Sequence, residues 1–114
     1  MKRIALTALF LFATFAIAIA GPVGGRKVAV DTVLPRQTDV YRVRCYANEP
    51  TVAVAVSNGD IDMKVYDENG NLIDSDTAMD STPICTWTPR WTGEFRIEII
   101  NPTSRSLDYV LGIE

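Results

Sequence analysis

Residues 59–76 read GDIDMKVYDENGNLIDSD. In Ile61-Asp62-Met63-Lys64-Val65-Tyr66, apolar and polar side chains alternate with the two-residue period of a strand buried on one face. Ile61, Met63 and Val65 form the inward set, and Asp62, Lys64 and Tyr66 the outward one. Asp67-Glu68-Asn69-Gly70-Asn71 follows, with Asp and Asn side chains suited to bonding their own backbone. Gly70 supplies the left-handed residue of a type I turn with a bulge. The stretch therefore reads as a hairpin, one strand ending at Tyr66 and the next running from Asn71 to Ser75.

The same period recurs on both sides. Tyr41, Val43 and Cys45 are inward between Val40 and Tyr46, leaving Arg42 and Arg44 to solvent. Phe95, Ile97 and Ile99 are inward in the next such run, and Tyr109, Leu111 and Ile113 in the last. Thr51–Val56 is apolar on both faces, with Val52, Val54 and Val56 on one and Ala53 and Ala55 on the other, so it reads as a central or covered strand. Turn formers punctuate the chain at Leu34-Pro35, Asn48-Glu49-Pro50, Ser57–Asp60, Thr82-Pro83, Thr92-Gly93 and Asn101-Pro102. That rhythm, without any long helical period, predicts an all-β, antiparallel, jelly-roll-like β-sandwich of about eight strands.

The N-terminus reads MKRIALTALFLFATFAIAIA. A charged start, an uncharged apolar run and the ending Ala18-Ile19-Ala20 describe a secretory signal peptide over 1–20. Residues 21–26 (GPVGGR) form a flexible lead-in and 27–114 a single domain. The expected location is exported, periplasmic or extracellular, with membrane contact only through the uncleaved signal segment. The 114 residues carry a net charge of −3 and no histidine. The acidic balance argues against nucleic acid. The missing histidine removes the commonest general base and metal ligand, and so short a domain has little room for a deep cleft. No enzymatic activity and no cofactor are expected.

In order and pattern, TDVYRVRCYANEPTVAVAV (38–56), GDIDMKVYDENGNLIDSD (59–76), TWTPRWTGEFRIEIIN (86–101) and LDYVLGIE (107–114) resemble the bacterial pre-peptidase C-terminal domain. The resemblance implies a secreted β-sandwich module of jelly-roll type, of the kind often appended to proteases and other exported hydrolases. VYDENGNLI and WTGEFRIEI carry most of it. The departure is that the module fills nearly the whole chain, so an accessory role to an attached catalytic domain does not carry over. Some collagen-binding relatives hold calcium with acids in the N-terminal linker; GPVGGRKVAV at 21–30 has none, and that site does not carry over either.

Three groups of residues are candidates for chemistry or recognition. Cys45 and Cys85 share the inward phase, Cys85 together with Trp87, and outside the cytosol two such cysteines are expected to form one disulfide. Asp74, Asp76 and Asp80 are the best local cluster for calcium, weighed against solvated turn carboxylates, the reading preferred here. Tyr46, Tyr66 and Trp91 fall on outward or turn positions and would make a ligand platform if contiguous. The sequence thus points to a non-catalytic exported module binding an unknown protein or glycan partner. The alternatives are a structural or chaperone-like domain contacting an exported partner and, less favoured, a minimal hydrolase.

Overall fold

The structure, a computed structural model, describes residues 26–114. The signal peptide expected at 1–20 and the lead-in up to residue 25 lie outside the described residues. Eight strands follow in order: β1 (Lys27–Val33), β2 (Thr38–Cys45), β3 (Thr51–Ser57), β4 (Asp62–Tyr66), β5 (Leu72–Asp76), β6 (Ile84–Trp87), β7 (Gly93–Ile100) and β8 (Leu107–Ile113). They form two antiparallel four-stranded sheets, ordered β1-β8-β3-β6 and β2-β7-β4-β5. Successive strands alternate between the two sheets except at the β4–β5 hairpin, the order of an eight-stranded jelly roll.

The alternation read from the sequence is the alternation of burial. Tyr41, Val43 and Cys45 are buried in β2, Met63 and Val65 in β4, Phe95, Ile97 and Ile99 in β7, and Tyr109, Leu111 and Ile113 in β8. Together with Val33, Ile61, Leu107, Cys85 and Trp87 they make one continuous core between the sheets. The hairpin turns as its composition dictates. Gly70 has φ +84° and donates its N–H to the Asp67 carbonyl at 3.1 Å. The return strand starts at Leu72, and a bulge between Val65 and Tyr66 absorbs the mismatch in register.

β3 is central, hydrogen-bonded to β8 on one side and β6 on the other. Its smaller face is the buried one: Ala53 and Ala55 have no exposure, while Val52 and Val56 are exposed. The core already holds Tyr41, Tyr109, Met63 and Trp87, and close packing sets small residues opposite large ones. β1 repeats the inversion, with Val28 and Val30 exposed and Ala29 packed against the core.

Polar groups tie the layers where apolar packing ends. Asn101, buried in the β7–β8 loop, donates from Nδ2 to the carbonyls of Val33 and Leu34 at 3.1 Å each and of Arg105 at 2.7 Å. Its Oδ1 accepts from the Thr103 N–H at 2.9 Å. One side chain thereby holds two loops at the same end of the sandwich.

Candidate binding groove

At the other end, the Thr88–Thr92 loop between β6 and β7 meets the β4–β5 hairpin. The loop is held from the β2–β3 connection, where Asn48, in the left-handed region at φ 66°, donates its N–H to the Pro89 carbonyl at 2.8 Å. Ala47 donates its N–H to Thr92 Oγ1 at 3.0 Å. Gly93 lets the two segments close: a Cβ there would lie 2.6 Å from Glu68 Oε1 and 3.2 Å from the Trp91 ring. Glu68 Oε1 in turn accepts from the Glu94 N–H at 3.3 Å.

The result is an open groove of about 490 Å³. Trp87, Phe95, Pro89, Ile73 and Trp91 supply apolar wall, and Thr86, Thr88, Arg90 and Asp67 supply polar groups. Trp87 and Phe95 stack at 6.2 Å beneath it. Trp91 is 38% and Ile73 40% exposed, a wet aromatic and aliphatic surface beside an exposed arginine. The Asp67 carboxylate belongs to the hairpin, accepting from the N–H groups of Asn69 and Asn71 at 2.8 and 2.9 Å and from Asn71 Nδ2 at 3.0 Å. These bonds, the Asn71 N–H foremost, hold its pKa below the ordinary carboxylate value.

Of the three aromatics singled out in the sequence, only Trp91 lines this groove. Tyr66 lies on the outer face of the second sheet, its ring 4.3 Å below the guanidinium of Arg96, its cross-strand partner on β7. Arg96 is also paired with Glu98 at 3.1 Å. Tyr46 follows the end of β2 with the Arg44 guanidinium 5.9 Å from its ring centre. The three aromatics are thus not one contiguous platform: Tyr66 is covered by Arg96 across the strands and Tyr46 lies by Arg44 of its own segment, the scatter that favours the structural alternative for the tyrosines. Ile73, Pro89 and Arg90 were not signalled by the sequence as groove residues, since only the meeting of hairpin and loop brings them together.

The acidic residues have backbone partners. Asp74 Oδ2 accepts from the Thr86 N–H at 2.9 Å and Asp76 Oδ2 from the Ile84 N–H at 2.9 Å. Both donors belong to β6 and point away from β3, because in the antiparallel ladder the alternate residues, Cys85 and Pro83, make the hydrogen bonds to β3. Two β5 carboxylates thus close the open edge of the opposite sheet. Asp80 Oδ1 accepts from the Thr82 N–H at 2.9 Å within its own turn. Among the described residues no group of three or more His, Cys, Asp or Glu side chains is placed to hold a metal ion.

The expected Cys45–Cys85 disulfide is corrected: both residues are free, buried thiols. They share the inward phase but occupy different places along the core. Cys45 lies beside Thr51 and Trp87, whereas Cys85 donates to the Met63 carbonyl at 3.9 Å. Burial raises the Cys45 pKa to about 11. Burial, with the charges of Asp74 and Asp76, raises that of Cys85 to about 12. Neither is a nucleophile at neutral pH. The buried Trp87 indole N–H faces the Cys45 sulfur.

No family model matches the sequence, and no curated protein sequence matches it. Among solved structures, the chain is similar in fold to the pre-peptidase C-terminal domain of a collagenase from Bacillus anthracis, with a TM-score of 0.68. The match covers 78% of this chain and 89% of that one at 11% identity. The fold implied by the sequence resemblance is thereby shown.

Proposed function

We propose that this chain is a non-catalytic, exported β-sandwich module that binds a protein or glycan partner in the periplasm or cell envelope. The observation that carries this reading is the end groove, where the exposed Trp91 and Ile73 offer an apolar surface beside Arg90, Thr86 and Thr88. A flat aromatic face flanked by hydroxyl and guanidinium groups suits a sugar ring or an extended peptide. The chain has no histidine to activate a nucleophile. Its thiols are buried, with pKa values raised to about 11 and 12. The similarity in fold to the pre-peptidase C-terminal domain of a collagenase supports the reading as a β-sandwich module.

The test is binding of the exported protein to an oligosaccharide array and to peptides from envelope proteins, read by tryptophan fluorescence. The chain has two tryptophans, of which Trp91 is the exposed one. The expected result is a ligand that perturbs the fluorescence and loses about tenfold or more in affinity on Trp91→Ala, with the melting temperature unchanged. Equal binding by Trp91→Ala, or no ligand among the probes, overturns the groove assignment.

A further inference from the structure

The outer faces of the two sheets differ in kind. That of β2-β7-β4-β5 carries Arg42, Arg44, Lys64, Glu94, Arg96 and Glu98, whose backbone phase is opposite to the buried set. That of β1-β8-β3-β6 is almost free of charge. Val28, Gly112, Val54 and Ile84 form one cross-strand row, and Val30, Val110 and Val56 the next. Val30 is 75% exposed, and Val28, Val56, Ile84, Val110 and Val52 are all exposed. Gly112, with no side chain between Val28 and Val54, leaves a groove of about 330 Å³. Polar rows border the valines at both ends. Arg26 and Glu114 pair at 3.3 Å at one end, and Thr32 donates to Asp108 at 2.6 Å at the other.

We infer that this valine face is a self-association surface, and that its occupant is a second copy of the same chain packed face to face. Three observations on the face favour a copy of itself. The exposed parts of Val28, Val30, Val52, Val56, Ile84 and Val110 form a contiguous patch in the ~300–600 Å² class of the largest on a monomer. That range also contains the apolar part of one partner's share of a standard homodimer, ~65% of ~800 Å². The face is a β-branched sheet surface, of the kind that packs on its like at ~10 Å between sheets. The two valine rows hold no charge, so two copies bury no unpaired ion, and each contributes one cation and one anion at the Arg26–Glu114 rim. A two-fold pairing is closed, so it satisfies the face without continuing into a fibre.

Sedimentation equilibrium of the exported protein tests this. The expected mass is twice that of the chain at micromolar concentration. Val30→Glu is expected to give monomer. The combined Val30→Thr, Val56→Thr and Val110→Thr variant keeps the β-branched shape in every strand and is expected to weaken the dimer by about tenfold or more with the circular dichroism spectrum unchanged. Trp91→Ala and Tyr66→Ala, away from this face, are expected to leave the mass doubled, which separates this inference from the groove proposed above. A wild-type monomer overturns the inference, whatever else then covers the face. A dimer unaffected by the threonine variant, or broken by Tyr66→Ala, overturns it as well.

Discussion

The hydroxyl of Tyr109 on β8 donates to Asp39 Oδ2 on β2 at 2.6 Å, joining the two sheets through the core. Tyr41 completes the chain: its hydroxyl bonds that of Tyr109. Since the Tyr109 proton is committed to Asp39, Tyr41 is the donor in that pair. Their rings meet edge to face at 6.4 Å and 86°, the arrangement that aligns a positive ring edge with a negative ring face.

Tyr109→Phe removes the donor to Asp39 and the acceptor for Tyr41 while keeping the ring. Buried hydrogen bonds to charged groups carry about 1.5–3 kcal/mol, and a loss of that size is expected in urea unfolding. Burial raises the pKa of both tyrosines above the ordinary 10.0. A raised pKa means the unfolded chain releases its protons first, so this stability is full below pH 10 and declines as pH rises beyond it. Wild type should lose stability above pH 10 more steeply than Tyr109→Phe.

Asp76→Ala uncovers the Ile84 N–H at the β6 edge and is expected to cost about 1–3 kcal/mol. With their oxygens turned to backbone donors, Asp74 and Asp76 do not need a cation. Thermal melts with millimolar calcium and with chelator should therefore coincide. A shift of about ten degrees with calcium, abolished by Asp76→Asn, would contradict this assignment.

Cys45 and Cys85 should resist a thiol reagent such as dithionitrobenzoate at pH 8. Their raised pKa values of about 11 and 12 leave little thiolate, and burial bars access. Labelling is expected to be about a hundredfold or more slower than in denaturant, where two thiols per chain should react. Intact-mass analysis of unlabelled protein should find no loss of two hydrogens.

Gly70→Ala tests the hairpin. Nothing lies within 4 Å of the added Cβ, so the cost is that of φ +84° alone, about 1 kcal/mol. Asp67→Ala should cost more, because its carboxylate serves three donors of the same turn. As a group with a lowered pKa, Asp67 contributes stability that is present above the ordinary carboxylate pKa and lost as pH falls through the folded value. The difference between wild type and Asp67→Asn should shrink accordingly in acid.

The sequence made some of this legible. β2, β4, β7 and β8 declare their buried faces because large apolar residues alternate there with charged ones, and a charge lies outside unless it is paired, as Asp39 is by Tyr109. β3 could not be decided so, since both faces are apolar. Size chose between them, and size depends on what the opposite sheet already contributes. β1 reads poorly because its larger residues, Val28 and Val30, are the exposed ones. The cysteines show a limit of another kind. Phase says that a residue points inward, but its position along the interior depends on strand order, which alternation does not encode. The groove was half visible: Trp91 stood out by its type, whereas Ile73, Pro89 and Arg90 reach it only through the docking of hairpin and loop. The partners of Asp74 and Asp76 were hidden because they are backbone amides of an edge strand in the opposite sheet, 12 and 8 residues away.

One consequence of the strand order concerns time. β8 lies between β1 and β3, so the first sheet has no middle until residues 107–113 arrive. β1 pairs with β8 along its whole length, Lys27 opposite Ile113 and Val33 opposite Leu107. Closing so long a stretch of chain before any contact rewards it is entropically slow. A chain emerging from the ribosome can form the local β4–β5 hairpin early, but its N-terminal strand must wait for its last one. Folding of this sandwich is therefore an end-joining event, and a nascent chain leaves its first sheet open until β8 is free.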